Sequence, residues 1–147
     1  MVRPVRSPAV PVRAIRGATT LDDDTPEQVR ERVQELVAAI FERNAITTDD
    51  AISLLVTATG DIHSAHPATA ARGWGLADVP IMGARELDID GGLARCVRLL
   101  LHVDTDQRRD ETTHVFLHGA TVLRPDLVRP DLVRPDLVRP DLARGDR

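Results

Sequence analysis

The hydrophobic residues of the chain follow a helical spacing in one long segment. Apolar residues from Val29 to Phe41 recur every three or four positions, as on one face of a helix. The segment 25–28, Thr-Pro-Glu-Gln, precedes them and is typical of a capping box with proline at the first helical position. Asn44 ends the pattern. We therefore predict a helix from Pro26 to about Asn44 whose apolar face packs on a sheet or another helix.

Elsewhere the apolar residues cluster or alternate, which predicts strands. In the longest cluster, Cys96, Arg98, Leu100 and His102 share one predicted face, and the intervening apolar residues form a core face. A proline followed by alanines predicts one further short helix. The fold class predicted is α+β or mixed α/β. The predicted strands are 12–17, 52–59, 79–82, 95–104, 113–117 and 119–123, and the short helix is 67–73.

Both ends of the chain differ from its centre. Residues 1–11 contain three prolines and two arginines without the apolar stretch of a secretory signal, so we predict a disordered leader. Near the other end, Arg-Pro-Asp-Leu recurs every five residues from 124 to 142, and its prolines exclude a helix. The predicted folded domain is 12–127, and the predicted disordered repeat tail is 128–147.

The composition of the chain argues against several classes of function. The 147 residues fit one domain, and no apolar run is long enough to span a bilayer. A net charge of -4 and only three aromatic residues argue against nucleic acid as a partner. A single cysteine suits a reducing, cytoplasmic compartment. All 19 basic residues are arginine, so lysine chemistry is excluded and guanidinium groups are left to bind anions.

Familiar catalytic and metal-binding motifs do not fit this sequence. It has no nucleophile elbow, phosphate-binding glycine loop or zinc-protease motif. His63 and His66 lack an obvious third metal ligand. The segment 88–92 resembles the opening of a calcium loop, but Gly92 and Leu99 stand where its third ligand and its bidentate acid belong. Cys96 has an apolar context typical of a packed thiol. We expect no metal and no covalent catalysis.

Two arginines stand where a solvated charge is unusual. Arg16 lies in a short apolar strand, and Arg98 lies within the longest predicted strand. By pattern alone, an edge position or an ion pair with a nearby aspartate explains either residue. A guanidinium projecting from a central strand needs an anion or several acceptors, because burying it unpaired is too costly. Arg98 is thus the stronger candidate for ligand binding.

Six segments in order resemble the short monofunctional chorismate mutases of the trimeric, non-helical class. This resemblance implies a pseudo-α/β-barrel homotrimer with an active site at each subunit interface. It also implies conversion of chorismate to prephenate, in phenylalanine and tyrosine biosynthesis, without a cofactor. The segments are 15–20, 57–63, 67–72, 86–93, 96–98 and 114–127, the last without 118–122.

The resemblance also implies residue roles. Arg98 resembles the arginine at the ether oxygen of the substrate, Glu86 the acceptor for its ring hydroxyl, and Arg16 a carboxylate clamp. Such a site needs no acid, base or nucleophile, because the rearrangement is pericyclic and builds negative charge on the ether oxygen. The other implied substrate-binding residues are Arg72 at the mouth, Phe116 as an aromatic wall, Leu123 and Arg124 at the start of the tail, and His66 and Gly83, where relatives often carry an aromatic residue and a cysteine.

Two other functions remain open at this stage. The interface arginine and the trimeric α/β pattern also suit a small enamine or imine hydrolase of the trimeric barrel kind. Alternatively, the chain is a regulatory or scaffolding module whose repeated tail binds a partner. Consumption of chorismate distinguishes the first interpretation from both of these.

Overall fold

The computed structural model describes residues 11–123, which form a five-stranded mixed sheet covered on one face by two helices. The predicted Arg124, the repeat tail and nearly all of the leader lie outside the described residues. The strands are β1 (Val12–Thr20), β2 (Ala51–Ala58), β3 (Ile81–Arg85), β4 (Cys96–Asp104) and β5 (Val115–Phe116). The helices are α1 (Pro26–Arg43) and α2 (Pro67–Gly73), with 3-10 helices at Thr48–Asp50 and His118–Val122. The predicted α+β class is confirmed.

Helix α1 begins and ends as its sequence predicts, but the predicted capping box is only half formed. The Thr25 hydroxyl accepts a hydrogen bond from the Gln28 backbone N–H at 3.2 Å, and Pro26 occupies the first turn. The Gln28 side chain does not return the bond to Thr25. Its Oε1 accepts instead from the backbone N–H groups of Asp22 and Asp23, at 2.5 and 2.8 Å. The cap therefore also fixes the acidic turn before the helix.

The sheet is built around β4, which pairs antiparallel with β1 on one side and with β2 on the other. The outer strands are parallel to their neighbours: β3 lies beside β2, and β5 lies beside β1. The predicted faces of β4 are confirmed, because Val97, Leu99, Leu101 and Val103 are buried in the core under α1. Arg98, Leu100 and His102 lie on the opposite face, here called the open face, where they are half-buried.

Close packing of α1 on the sheet depends on Gly17 in β1. A Cβ atom at this position would lie 2.7 Å from Ile40 Cδ1 and 3.1 Å from Leu36 Cδ1. Both of these helix side chains are fully buried. The absence of a side chain at Gly17 thus lets α1 approach the strand that carries Arg16.

One predicted strand is wrong, and another is displaced. Residues 119–123 were expected to form a strand because of their β-branched residues, but the chain turns there into a 3-10 helix. His118 has a positive φ of 52°, which ends the extended backbone after β5, and the Gly119 N–H donates to the Thr20 hydroxyl at 2.9 Å. The strand predicted at 79–82 starts only at Ile81, because Val79 is bonded within a turn and Pro80 has no N–H.

Candidate active site

Arg98 projects from the central strand onto the open face, where it meets a carboxylate. Its Nη1 atom lies 2.9 Å from Oε2 of Glu86, and the side chains are 25% and 22% exposed. The pairing stabilises a half-buried guanidinium that would otherwise lack a counter-charge. The sequence pattern allowed an ion pair between Arg98 and a nearby aspartate. The structure contains an ion pair, but its acidic partner is a glutamate twelve positions earlier in the chain.

Glu86 is brought to Arg98 by the pairing of three strands. Its backbone N–H continues the β3 ladder by donating to the Ala58 carbonyl at 2.9 Å. Its Oε1 accepts a hydrogen bond from the hydroxyl of Thr57, which lies directly opposite Arg98 in the β2–β4 register. Burial opposes ionisation, but the hydrogen bonds from Thr57 and Arg98 and the charges of Arg98 and Arg16 hold the Glu86 pKa below its usual value.

Arg16 lies on the same open face, diagonal to Arg98. In the β1–β4 register Arg16 is opposite Leu100, and Ala18 is opposite Arg98, so the two arginines are neighbours across the strand pair. The Arg16 backbone N–H donates to Nδ1 of His114 at 2.9 Å, which ties β1 to the segment entering β5. The structure therefore brings together three of the predicted residues, Arg16, Glu86 and Arg98, here called the arginine–glutamate cluster.

The start of β4 is fixed by hydrogen bonds two residues before Arg98. The Thr59 hydroxyl accepts from the Cys96 N–H at 2.9 Å and donates to Asp61 Oδ1 at 2.5 Å. Asp61 Oδ2 accepts from the Arg95 N–H at 2.8 Å. Although burial opposes ionisation, the bonds from Thr59 and Arg95 lower the pKa of Asp61. This network fixes the path by which the chain enters β4.

A small apolar cluster adjoins Arg98 along the open face. Phe116 and Cys96 are buried in it, and Leu123 packs against it. Burial raises the pKa of the Cys96 thiol to about 11, while the charge of Arg98 acts in the opposite direction. Cys96 is therefore a packed, protonated thiol at neutral pH, as its apolar context predicts. Phe116 and Leu123 lie beside the arginine–glutamate cluster on the open face.

The other predicted residues lie on the helix side of the sheet. His66 and Gly83 line a cleft of about 900 Å³ between α2 and the β2–β3 edge, together with Arg85 and the loop before α2. Gly83 faces α2, since a Cβ there would lie 4.0 Å from the Cβ of Ala68. Arg72 is exposed in the last turn of α2. Within one chain, the sheet therefore separates His66, Gly83 and Arg72 from the arginine–glutamate cluster.

Sequence reasoning assigned no role to two polar residues of these sites. Thr57 was noticed only as part of a resembling segment. The one signal that could have found it is a hydroxyl directly after the apolar run 54–56, near the end of β2. Arg85 lies along the cleft with its guanidinium over Gly60, where a Cβ would come within 2.3 Å of it.

Among residues 11–123, no group of three or more His, Cys, Asp or Glu side chains is placed to hold a metal ion. No helix in that range is long and apolar enough to cross a membrane.

The described part of the chain is a small α+β protein that carries two arginines and a glutamate together on the open face of its sheet. A family model described as chorismate mutase type I matches residues 12–127. The chain therefore belongs to the chorismate mutase type I family. The enzyme class predicted from the sequence, a chorismate mutase and thus an isomerase, is confirmed, and the hydrolase and scaffolding interpretations gain no support.

Two relatives and one solved structure are similar to this chain over most of its length. A chorismate mutase AroH of Bacillus subtilis (strain 168) is 40% identical over 119 residues, which cover 79% of this chain and 92% of that protein. One of Thermus thermophilus is 42% identical over 117 residues, covering 79% and 96%. The solved structure of a chorismate mutase from Clostridium thermocellum superposes with a TM-score of 0.73 at 41% identity, covering 75% of this chain and 98% of that one.

Proposed function

We propose that the arginine–glutamate cluster converts chorismate to prephenate by electrostatic and conformational stabilisation alone. In this rearrangement the ether C–O bond breaks as a new C–C bond forms within one molecule, so no proton, group or electron leaves. The observation that carries the proposal is the Arg98–Glu86 pair at 2.9 Å beside Arg16 on the open face of the sheet. These residues can bind and orient a small dianion without a nucleophile.

Arg98 is the group proposed to act on the transition state. Negative charge grows on the ether oxygen as its bond lengthens, so a fixed cation there binds the transition state more tightly than the substrate. A guanidinium has several N–H donors, and the contact with Glu86 uses one of them while fixing the orientation of the rest. Little reorganisation is then needed when the charge develops.

Arg16 and Glu86 are proposed to orient the substrate. Arg16 offers a planar fork that suits a carboxylate, and its position diagonal to Arg98 separates the clamp from the reacting oxygen. Glu86 is ionised at neutral pH, since its pKa is lowered, and an ionised carboxylate accepts a hydrogen bond from a ring hydroxyl. Holding the substrate in its reactive conformer supplies the orientational part of the rate enhancement.

We further propose that the active site is completed across subunit interfaces of a homotrimer. A small ligand on the open face cannot reach the cleft that holds His66 and Gly83 in the same chain, because the sheet lies between them. A second copy can supply that half. Near the β3 edge, Met82, Leu87 and Ile89 are 67%, 82% and 66% exposed, and burial of this apolar surface would favour such an assembly.

The assembly has a direct test in Leu87→Arg. A charge in this apolar surface is expected to convert a species of three times the 16.1 kDa chain mass into monomers, and to lower kcat/KM by at least about tenfold. Sedimentation equilibrium and the chorismate assay measure the two effects. Val12→Arg, at an exposed apolar residue at the start of β1, which β2 and β4 separate from β3, is the control. A monomeric wild-type protein with full activity would contradict the trimer.

The start of the tail is tested by two truncations. Ending the chain after Leu127 is expected to keep kcat/KM within about twofold, because the first Arg-Pro-Asp-Leu copy is retained. Ending it after Val122 removes Arg124 and also Leu123, which packs against the apolar cluster beside Arg98, and is expected to lower kcat/KM by about tenfold or more. Equal losses in the two proteins would refute a special role for the first copy.

The function itself is tested with the purified full chain. Chorismate absorbance is expected to decline at a rate proportional to enzyme concentration, with prephenate as the product and no effect of a metal chelator. A folded protein that leaves chorismate unchanged would contradict the proposal. Release of ammonia from an imine substrate would instead favour the hydrolase.

A further inference from the structure

Thr57 is the residue of β2 that faces the proposed active site. It lies directly opposite Arg98 in the β2–β4 register and beside Ala84 in the β2–β3 register. The alternate residues Leu54 and Val56 of β2 are buried in the core, whereas Thr57 turns its side chain to the open face. A hydroxyl is thus fixed by two strands at the site.

The carboxylate of Glu86 is held at both oxygens by different groups. Oε1 accepts from the Thr57 hydroxyl, and Oε2 lies 2.9 Å from Nη1 of Arg98. The terminal torsion of a glutamate is otherwise broad, so a single contact would leave the carboxylate plane free to rotate. Two contacts fix that plane, and the fixed plane in turn holds the guanidinium of Arg98.

We propose that Thr57 is a positioning residue for catalysis, which acts by fixing the carboxylate plane of Glu86 and, through it, the guanidinium of Arg98. This inference rests on the proposed function, in which Glu86 and Arg98 contact the substrate. Thr57 itself need not touch the substrate. Its hydroxyl reduces the freedom of the ion pair before the substrate arrives, so its effect falls on the transition state.

The charge of Glu86 provides a second readout. The groups that face this carboxylate are Arg98 and Cys96 from β4, Arg16 from β1 and Thr57 from β2. The Cys96 thiol is neutral at neutral pH, because its pKa is about 11. A hydrogen bond from Thr57 favours the ionised carboxylate, so its removal raises the pKa of Glu86. Activity that requires the ionised form is then lost at a higher pH as the solution is acidified.

The test is Thr57→Val, which keeps the shape of the side chain and removes the hydroxyl. We expect kcat to fall about 5- to 50-fold with KM within about threefold, and the acid limb of the kcat profile to move to higher pH. Thr57→Ser keeps the hydroxyl and is expected to restore both the rate and the profile. Thr57→Ala repeats the hydroxyl loss should valine disturb the strand. Thr112→Val, which removes a hydroxyl bond in an exposed loop, is the matched control.

Several outcomes would overturn the inference. An unchanged kcat and pH profile in Thr57→Val would do so, and so would a serine variant as impaired as the valine variant, because the effect would then come from the methyl group. Failure of the proposed function is distinguishable from failure of this inference, because Arg98→Ala and Glu86→Gln would then retain activity. An inactive Arg98→Ala beside a normal Thr57→Val would overturn only the positioning role.

Discussion

Replacing Arg98 with alanine is expected to lower kcat by about 100- to 1000-fold. The change removes the cation proposed to stabilise the ether oxygen, and one preorganised donor of this kind contributes about 3–4 kcal/mol to transition-state stabilisation. It also leaves Glu86 without its ion-pair partner. Because the substrate carboxylates are proposed to bind elsewhere, KM is expected to change less than kcat. Initial rates of chorismate loss over a range of substrate concentrations measure both constants.

Two further variants separate this role from loss of charge or fold. Arg98→Lys keeps the charge but loses the planar fork, so its kcat is expected to lie between those of the wild type and the alanine variant. Arg109→Ala, in the exposed loop after β4, removes the same side chain far from the site and is expected to be fully active. Wild-type kcat in a folded Arg98→Ala protein would refute the assigned role.

Replacing Ile40 with alanine is expected to lower the free energy of unfolding by about 2–5 kcal/mol. The side chain is 1% exposed and lies at the contact of α1 with Gly17, a position without side-chain atoms that could fill the space. The loss therefore combines reduced apolar burial with a cavity under β1. Urea unfolding at one fixed protein concentration measures the change.

Ile52→Ala is the matched control for this cavity. It removes the same atoms from a residue that is 38% exposed and lies in the β-bulge between Ala51 and Ser53. The expected cost is below about 1 kcal/mol, because solvent fills the space that is left. Equal costs at the two positions would show that the contact of α1 with Gly17 is not closely packed.

The elements that sequence predicted best were those whose signals are local. Helix α1 occupies Pro26–Arg43, as its apolar spacing and its proline indicated, and α2 occupies Pro67–Gly73 as expected. The strand predicted at 119–123 is wrong, because β-branched residues favour a strand only where the backbone stays extended, and the chain turns into a 3-10 helix at His118. Strand β5 pairs with β1 only at Gly17 and Ala18, and the positive φ of His118 ends the pairing there.

The site was predictable only in part. Arg98 was noticed because an arginine within an apolar strand needs an anion, and the structure supplies Glu86. Thr57 carried no such signal, since threonine is common in strands and needs no partner. Its contact with Glu86 joins residues 29 positions apart, which only strand pairing brings together.

Sequence by itself determined the alternation along β4, and hence that Arg98 lies on the face opposite the core, because side-chain direction in a strand follows from backbone geometry alone. Tertiary structure alone decided which charges meet. The register of β1, β2 and β3 around β4 places Arg16, Thr57 and Glu86 about Arg98 and leaves His66 and Gly83 behind the sheet. Register depends on the packing of the whole sheet, and no local stretch of sequence encodes it.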